Sequence, residues 1–201
     1  GYGAAVMVWG GSECYLTGCA IYRSNTTSVF SAFGGAVCQR GWTGGVLHLT
    51  ECIISDASAT ATREGASLPS AGGAVGVQKA VLRMVRCTIV NGSTTGEGGG
   101  CYTFESEAFT LLGTTVTSCH AELRGGALYV ASGTALLGNG TRFYGNSAAQ
   151  GGSYMVATGG IFYELPVAPG HWLPNAQCEV FRQGCPIVED PVTGQSSAEA
   201  A

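Results

Sequence analysis

The stretch GGALYVASGTALLGNGTRFYGNSAAQGG, residues 125–152, opens and closes on the same Gly-Gly pair and carries GTRFYGN between. Gly-Gly followed by a small residue recurs as GGAV at 34, GGAV at 72, GGCY at 99 and GGSYM at 151, with YGAA at 2 as a degenerate first copy. Taking the second glycine of each as origin, Gly3, Gly35, Gly73, Gly100, Gly126 and Gly152 are separated by 32, 38, 27, 26 and 26 residues. The two longer intervals carry their extra length in loop-like stretches such as SATATREGASLPSA. A fixed period of this size marks a chain assembled from copies of one supersecondary unit.

A second register, between the Gly pairs, aligns side chains. Cys14, Leu47, Leu82, Phe109 and Leu136 correspond; two residues on come Leu16, Leu49, Met84, Leu111 and, breaking the pattern, Gly138. Three further on stand Cys19, Cys52, Cys87, Thr114 and Thr141, and two beyond those Ile21, Ile54, Ile89, Val116 and Phe143. After the Gly pairs the aligned positions are Ala5, Val37, Val75, Tyr102, Leu128 and Tyr154, then Met7, Gln39, Val77, Phe104, Val130 and Val156. Spacing of two places alternate side chains on one face of a strand, and the offset of three between blocks requires a bend. Each repeat therefore holds about three short strands, and no segment carries a helical period.

Such a unit cannot bury its apolar face alone, but it can coil once and stack on the next copy. The expectation is an all-β fold, a single-stranded parallel β-helix of about five to six rungs stacked roughly 4.8 Å apart. The glycines then mark a corner repeated on every rung, where positive φ or close backbone approach is needed. Gly138 predicts a narrowed or repacked core in its rung. A Gly-rich antiparallel sandwich is the alternative, but hairpin turns impose no constant 26-residue register on side chains.

Composition limits the function classes. Glycine is 33 of 201 residues, and only 11% are charged, with Lys79 the single lysine. A formal charge of −4 on few ionisable groups offers no basic stripe for nucleic acid and no cluster for an anionic membrane surface. No apolar run approaches the roughly 20 residues of a membrane span. The nine cysteines form no C-x-x-C pair, and neither they nor the histidines fall at zinc spacing, so no metal site and no cofactor is expected. Sequons at Asn25, Asn91 and Asn139, taken with the cysteines, favour an oxidising extracellular setting and make these three the glycosylation candidates.

Residues 1–165 form the repeat region. Residues 166–188, PGHWLPNAQCEVFRQGCPI included, leave it and read as a C-terminal cap or the start of a cysteine-rich module, with Cys178–Cys185 the expected disulfide; residues 189–201 read as a polar linker or tail. Gly1 opens directly into an apolar stretch, so the chain reads as a piece of a longer protein.

GGALYV at 125–130 with FYGN at Phe143–Asn146 resembles the Gly-Gly-Ala-[Ile/Leu/Val] and Phe-x-x-Asn repeat of the chlamydial polymorphic outer-membrane proteins, and similar repeats in large surface proteins of algae and other protists. GGAV matches the first half twice, while elsewhere the second half degrades to IYRS, IISD, IVNG and VTSC. The resemblance spans roughly residues 2–165. It implies a right-handed β-helix of the pectin-lyase-like kind on a secreted or cell-surface protein, often an adhesin, with surface glycans or other proteins as partners. It also implies an inward Asn at the bend, so that a glycan on Asn91 would contradict the register.

Parallel β-helices also host polysaccharide lyases and glycoside hydrolases, which makes an enzyme of that kind the alternative to adhesion or structural spacing. Such sites need clustered carboxylates on one face, as Ca²⁺ ligands or an acid/base pair, often with a basic residue to take a proton. Glu105 and Glu107, two apart on a strand after a Gly pair, are the only close carboxylate pair within a rung, and Lys79 and Arg40 occupy nearby positions on preceding rungs. A solvated outer face is the competing reading of all four. His48, His120 and His171 have no nucleophile in register, and His48, between Leu47 and Leu49, is expected to point outward. The Cys19, Cys52 and Cys87 column reads either as a redox or metal stack or as thiols packed as small hydrophobes, two of which could pair in a disulfide.

Overall fold

A computed structural model of the chain describes residues 5–62, 70–138 and 140–164. The described chain is all-β, in parallel sheets, with no helix. Its strands recur in sets, each set termed a circuit, of which the first comprises β1 (Val6–Trp9), β2 (Glu13–Thr17), β3 (Ala20–Tyr22) and β4 (Asn25–Ser28). The second comprises β5 (Val37–Thr50), β6 (Ile53–Ser55) and β7 (Ser58–Ala61), and the third β8 (Val75–Val85), β9 (Thr88–Val90) and β10 (Ser93–Thr94). The fourth has β11 (Cys101–Phe104), β12 (Ser106–Leu112), β13 (Thr115–Thr117) and β14 (His120–Arg124); the fifth has β15 (Leu128–Leu137), β16 (Arg142–Tyr144) and β17 (Ser147–Gln150). β18 (Tyr154–Glu164) opens a sixth.

Strands pair not with their neighbours in the chain but with the equivalent strand one circuit away, and every pairing is parallel. One short sheet runs β3-β6-β9-β13-β16 and a second β4-β7-β10-β14-β17, each in chain order. The long sheet holds the remaining strands and bends part-way along: β1 and β2 both pair with β5, and β11 and β12 both pair with β8 and β15.

This register explains the repeated side chains. Leu16, Leu49, Met84 and Leu111 are consecutive Cα partners, as are Ile21, Ile54, Ile89, Val116 and Phe143. In the interior circuits Leu49, Met84, Leu111, Ile54, Ile89 and Val116 are buried to 1% exposure or less. Each such side chain contributes about 1.5–3 kcal/mol before chain entropy is set against it.

The Cys/Thr column is a bend motif. Cys52 Sγ donates to the carbonyls of Leu16 and Thr50, Cys87 Sγ to those of Leu49 and Val85, and Thr114 Oγ1 to those of Met84 and Leu112. Thr141 Oγ1 repeats the cross-circuit half of the pattern on Leu111 at 3.0 Å. A small side chain with one donor, thiol or hydroxyl, satisfies carbonyls that the turn leaves inside the core.

Three alignments made from the sequence shift by one. Three consecutive glycines, Gly98 to Gly100, hide the origin of the fourth circuit: Gly98 takes the positive-φ corner and Gly100 sits where other circuits have Ala74 and Ala127. The inward positions there are Cys101 and Thr103, and Tyr102 and Phe104 face the other way. In the first circuit Val6 and Val8, not Ala5 and Met7, pair with Val37 and Gln39. In the fifth circuit Ala135 and Leu137, not Leu136 and Gly138, pair with Phe109 and Leu111, so no core position is dropped. The bend after Leu137 is one residue longer, which restores Phe143 to its column.

The Gly-Gly corner is sterically required. Gly72 has φ +67°, and a Cβ on Gly73 would run into the carbonyl oxygens of Gly99 and Ser93 on the adjoining circuit. Gly18, by contrast, has φ +61° with nothing within 4 Å of its would-be Cβ, and the equivalent corners carry Glu51 and Arg86 at φ 55° and 51°. Chemical denaturation is therefore expected to show Gly73→Ala costing more than ~2 kcal/mol and Gly18→Asn less than ~1 kcal/mol.

Candidate functional site

Each circuit turns at corners where one residue takes positive φ, and equivalent corners lie one strand spacing apart. Side chains there project outward and meet across circuits. Glu51 and Arg86 share one such corner, with Oε1 accepting from Nε at 3.0 Å and Nη2 at 2.7 Å. Arg23, Asp56, Asn91, Ser118 and Gly145 share another, where Asn91 Nδ2 donates to Asp56 Oδ1 at 3.0 Å. That bond, a second from Ser55 and the nearby Arg23 charge hold the Asp56 carboxyl below its ordinary range.

The candidate acid/base residues obey the same rule. Lys79 and Glu105 both occupy the bend of the long sheet, at φ 52° and 50°, and Lys79 Nζ lies 3.1 Å from Glu105 Oε2. Glu105 is thus the residue between β11 and β12 rather than part of a strand, its N–H donating to Ser132 Oγ at 2.8 Å. Glu107 is exposed in β12. Arg40 joins Gly41, Gln78 and Lys79 along a shallow open groove, its guanidinium 5.9 Å from the Trp9 ring centre. Both members of the Lys79–Glu105 pair are over two-fifths exposed, at 42% and 46%, a solvated ion pair of the kind worth about 0–1 kcal/mol. General acid/base or metal-assisted cleavage of a polysaccharide needs convergent carboxylates in a cleft that excludes water. Here one carboxylate is engaged by a lysine and neither is enclosed. Among the described residues no three His, Cys, Asp or Glu side chains converge as a metal site, and no helix is long and apolar enough to cross a membrane.

The histidines separate. His48 does point outward, stacked on Tyr15 with ring centres 4.5 Å apart and planes 2° from parallel. His120 has a nucleophile in register after all: Ser147 is its Cα partner on β17, and Nδ1 and Oγ are 2.9 Å apart. The 27-residue separation hid this contact in the sequence. An activated serine also needs its base oriented by a third group, and among the described residues no carboxylate hydrogen-bonds His120. His171, Asn139 and the Cys178–Cys185 pair lie outside the described residues.

A second feature the sequence did not reveal is a covered layer outside the long sheet. Phe33, Ala71, Glu97 and Arg124 bridge one another at the corner before each Gly pair. Phe33 packs edge-on against Tyr102 at 5.4 Å, Tyr102 stacks on Tyr129 at 5.9 Å, and Arg124 Nη1 reaches both Tyr129 Oη at 3.2 Å and Glu97 Oε1 at 3.3 Å. Burial raises the Glu97 pKa, opposed by the Arg124 charge, and raises that of Tyr102 further still. Outward-facing Cys38 is also fully buried.

The inward Asn of the repeat is Asn146, not Asn91. Asn146 faces in, its Oδ1 accepting from the Cys119 N–H at 2.9 Å and its Nδ2 donating to the Val116 carbonyl at 3.0 Å. On the third circuit Gly92 fills that inward position, and Asn91 stands exposed on the corner. A glycan on Asn91 is therefore compatible with the register, contrary to the expectation from the repeat. Asn25 is also exposed, its Oδ1 accepting from Ser58 Oγ at 2.9 Å.

No protein-family model matches this chain, and neither a curated protein nor a solved structure matches it.

All seven described cysteines are free thiols. Burial pushes Cys38 and Cys119 up to about 12 and raises Cys87 and Cys101 as well, so none of these four is a ready thiolate for redox or metal chemistry. Alkylation of the native protein at neutral pH, mapped by peptide mass spectrometry, is expected to modify half-buried Cys14 and Cys19 at least ~10-fold faster than Cys38, Cys52, Cys87, Cys101 or Cys119.

Proposed function

We propose that the chain is a right-handed single-stranded parallel β-helix on a secreted or cell-surface protein, and that it acts without catalysis, as an adhesive surface or an extracellular spacer. The observation that carries this reading is the use of its outward polar groups. Lys79–Glu105, Glu51–Arg86 and Asp56–Asn91 pair with each other across circuits on open surface instead of converging on an enclosed cleft. Parallel pairing between equivalent strands of successive circuits supports the β-helix assignment. The outward faces carry exposed aromatics, Tyr15 at 65%, Tyr22 at 59% and Tyr144 at 54%, suited to contact with glycans or with another protein. The accessible sequons at Asn25 and Asn91 fit an extracellular setting, in which the chain is a glycoprotein.

The alternative, a polysaccharide lyase or hydrolase, places Glu105 and Glu107 as the reactive carboxylates with Lys79 and Arg40 beside them. A screen of acidic and neutral polysaccharides, with and without Ca²⁺, decides between the two. The expected outcome is no turnover by the native chain; turnover that falls at least ~100-fold in Glu105→Gln or Glu107→Gln would establish the enzyme. Expression through a eukaryotic secretory pathway is further expected to yield glycan on Asn91, read as a mass shift at that peptide removed by amidase.

A further inference from the structure

Among the described residues, every buried side-chain polar atom without a hydrogen-bond partner lies at one inner corner, where the long sheet bends: Gln39 Nε2 and Oε1, Thr103 Oγ1 and Ser106 Oγ. Gln39 and Thr103 belong to the same inward column, on the second and fourth circuits, with Val77 between them. Ser106 opens the strand on the far side of the bend from Thr103. All three are enclosed, at 0%, 0% and 2% exposure.

The inward side chains across the bend are small. Gly45 pairs with Ala80, and Ser106 with Gly133. A Cβ on Gly45 would stand 2.7 Å from Gln39 Nε2, so this glycine is what admits the amide to the corner. A column that elsewhere carries valine, at Val8, Val77, Val130 and Val156, here accepts a longer polar residue and a matching glycine.

A primary amide sealed in a core with both ends unpaired is strongly unfavourable, and native interiors resolve such groups with protein or water partners. The corner's ligand must be small, neutral and able both to donate and to accept, because the amide presents two donors and an acceptor and the hydroxyls present either. Lys79 and Glu105 turn outward at the same bend and bring no charge inside. We propose that this inner corner is a built hydration site, with one ordered water on the Gln39 amide and a second bridging the hydroxyls of Thr103 and Ser106. Buried waters of this kind make about three hydrogen bonds each and persist because removal strands their partners.

The test uses the full chain in solution. Water-selective NMR should show direct cross-relaxation between a long-lived water and the Gln39 side-chain amide protons; amide protons that show contacts only to Val77 and other core protons, and none at the water frequency, overturn the proposal. Thermal unfolding of Gln39→Met gives a second, independent readout. A water-satisfied amide predicts an unchanged or lowered midpoint, whereas a rise of ~2–4 °C or more, the response to relieving a dry unpaired amide, contradicts it.

Discussion

Backbone hydrogen bonds between successive circuits set the one length on which the rest of the molecule depends, the parallel strand spacing of about 4.8 Å. Thr88 N–H reaches the Cys52 carbonyl at 2.9 Å, and Thr115 N–H that of Cys87 at 2.9 Å. Once these bonds form, every residue lies directly above its equivalent. Inside, stacking makes columns of Leu, Ile and Val; at the bends it brings a thiol or hydroxyl within reach of the carbonyl one circuit back. At the Gly-Gly corner it brings backbones so close that Gly73 cannot carry a Cβ.

The same constraint organises the surface. Outward residues at equivalent corners are obliged to be neighbours, so opposite charges pair and amides meet carboxylates without any cleft to gather them. Lys79 with Glu105 and Arg86 with Glu51 are consequences of register, and their exposure leaves them screened and individually weak. Where a bulky residue precedes the Gly pair, as Phe33 does, it lies over the next strand and converts an outward column into a small second core around Tyr102 and Tyr129.

The interior columns were legible in the sequence because blocks such as Leu-x-Met-x-x-Cys keep their internal spacing from circuit to circuit. Legibility failed where that spacing became ambiguous: three glycines at 98–100 offered two origins, and the longer bend after Leu137 displaced Leu136 and Gly138 from the columns assigned to them. The nearness of Lys79 and Glu105 was legible because both fall shortly after a Gly pair, although the ion pair itself comes from the structure. The His120–Ser147 contact was not, since nothing local links residues on separate circuits. The layer around Tyr102 and Tyr129 is not legible in the sequence, because alternation alone assigns outward side chains to solvent, and only the path of the corner residues shows which of them are covered.

Scalar couplings across hydrogen bonds report the pairing of each circuit with the next without reference to side chains. Couplings are expected from the Cys52 carbonyl carbon to the Thr88 amide nitrogen, from Cys87 to Thr115 and from Thr114 to Arg142, each jumping a whole circuit. Couplings from these amides to carbonyls a few residues away, as antiparallel hairpins would give, would contradict it.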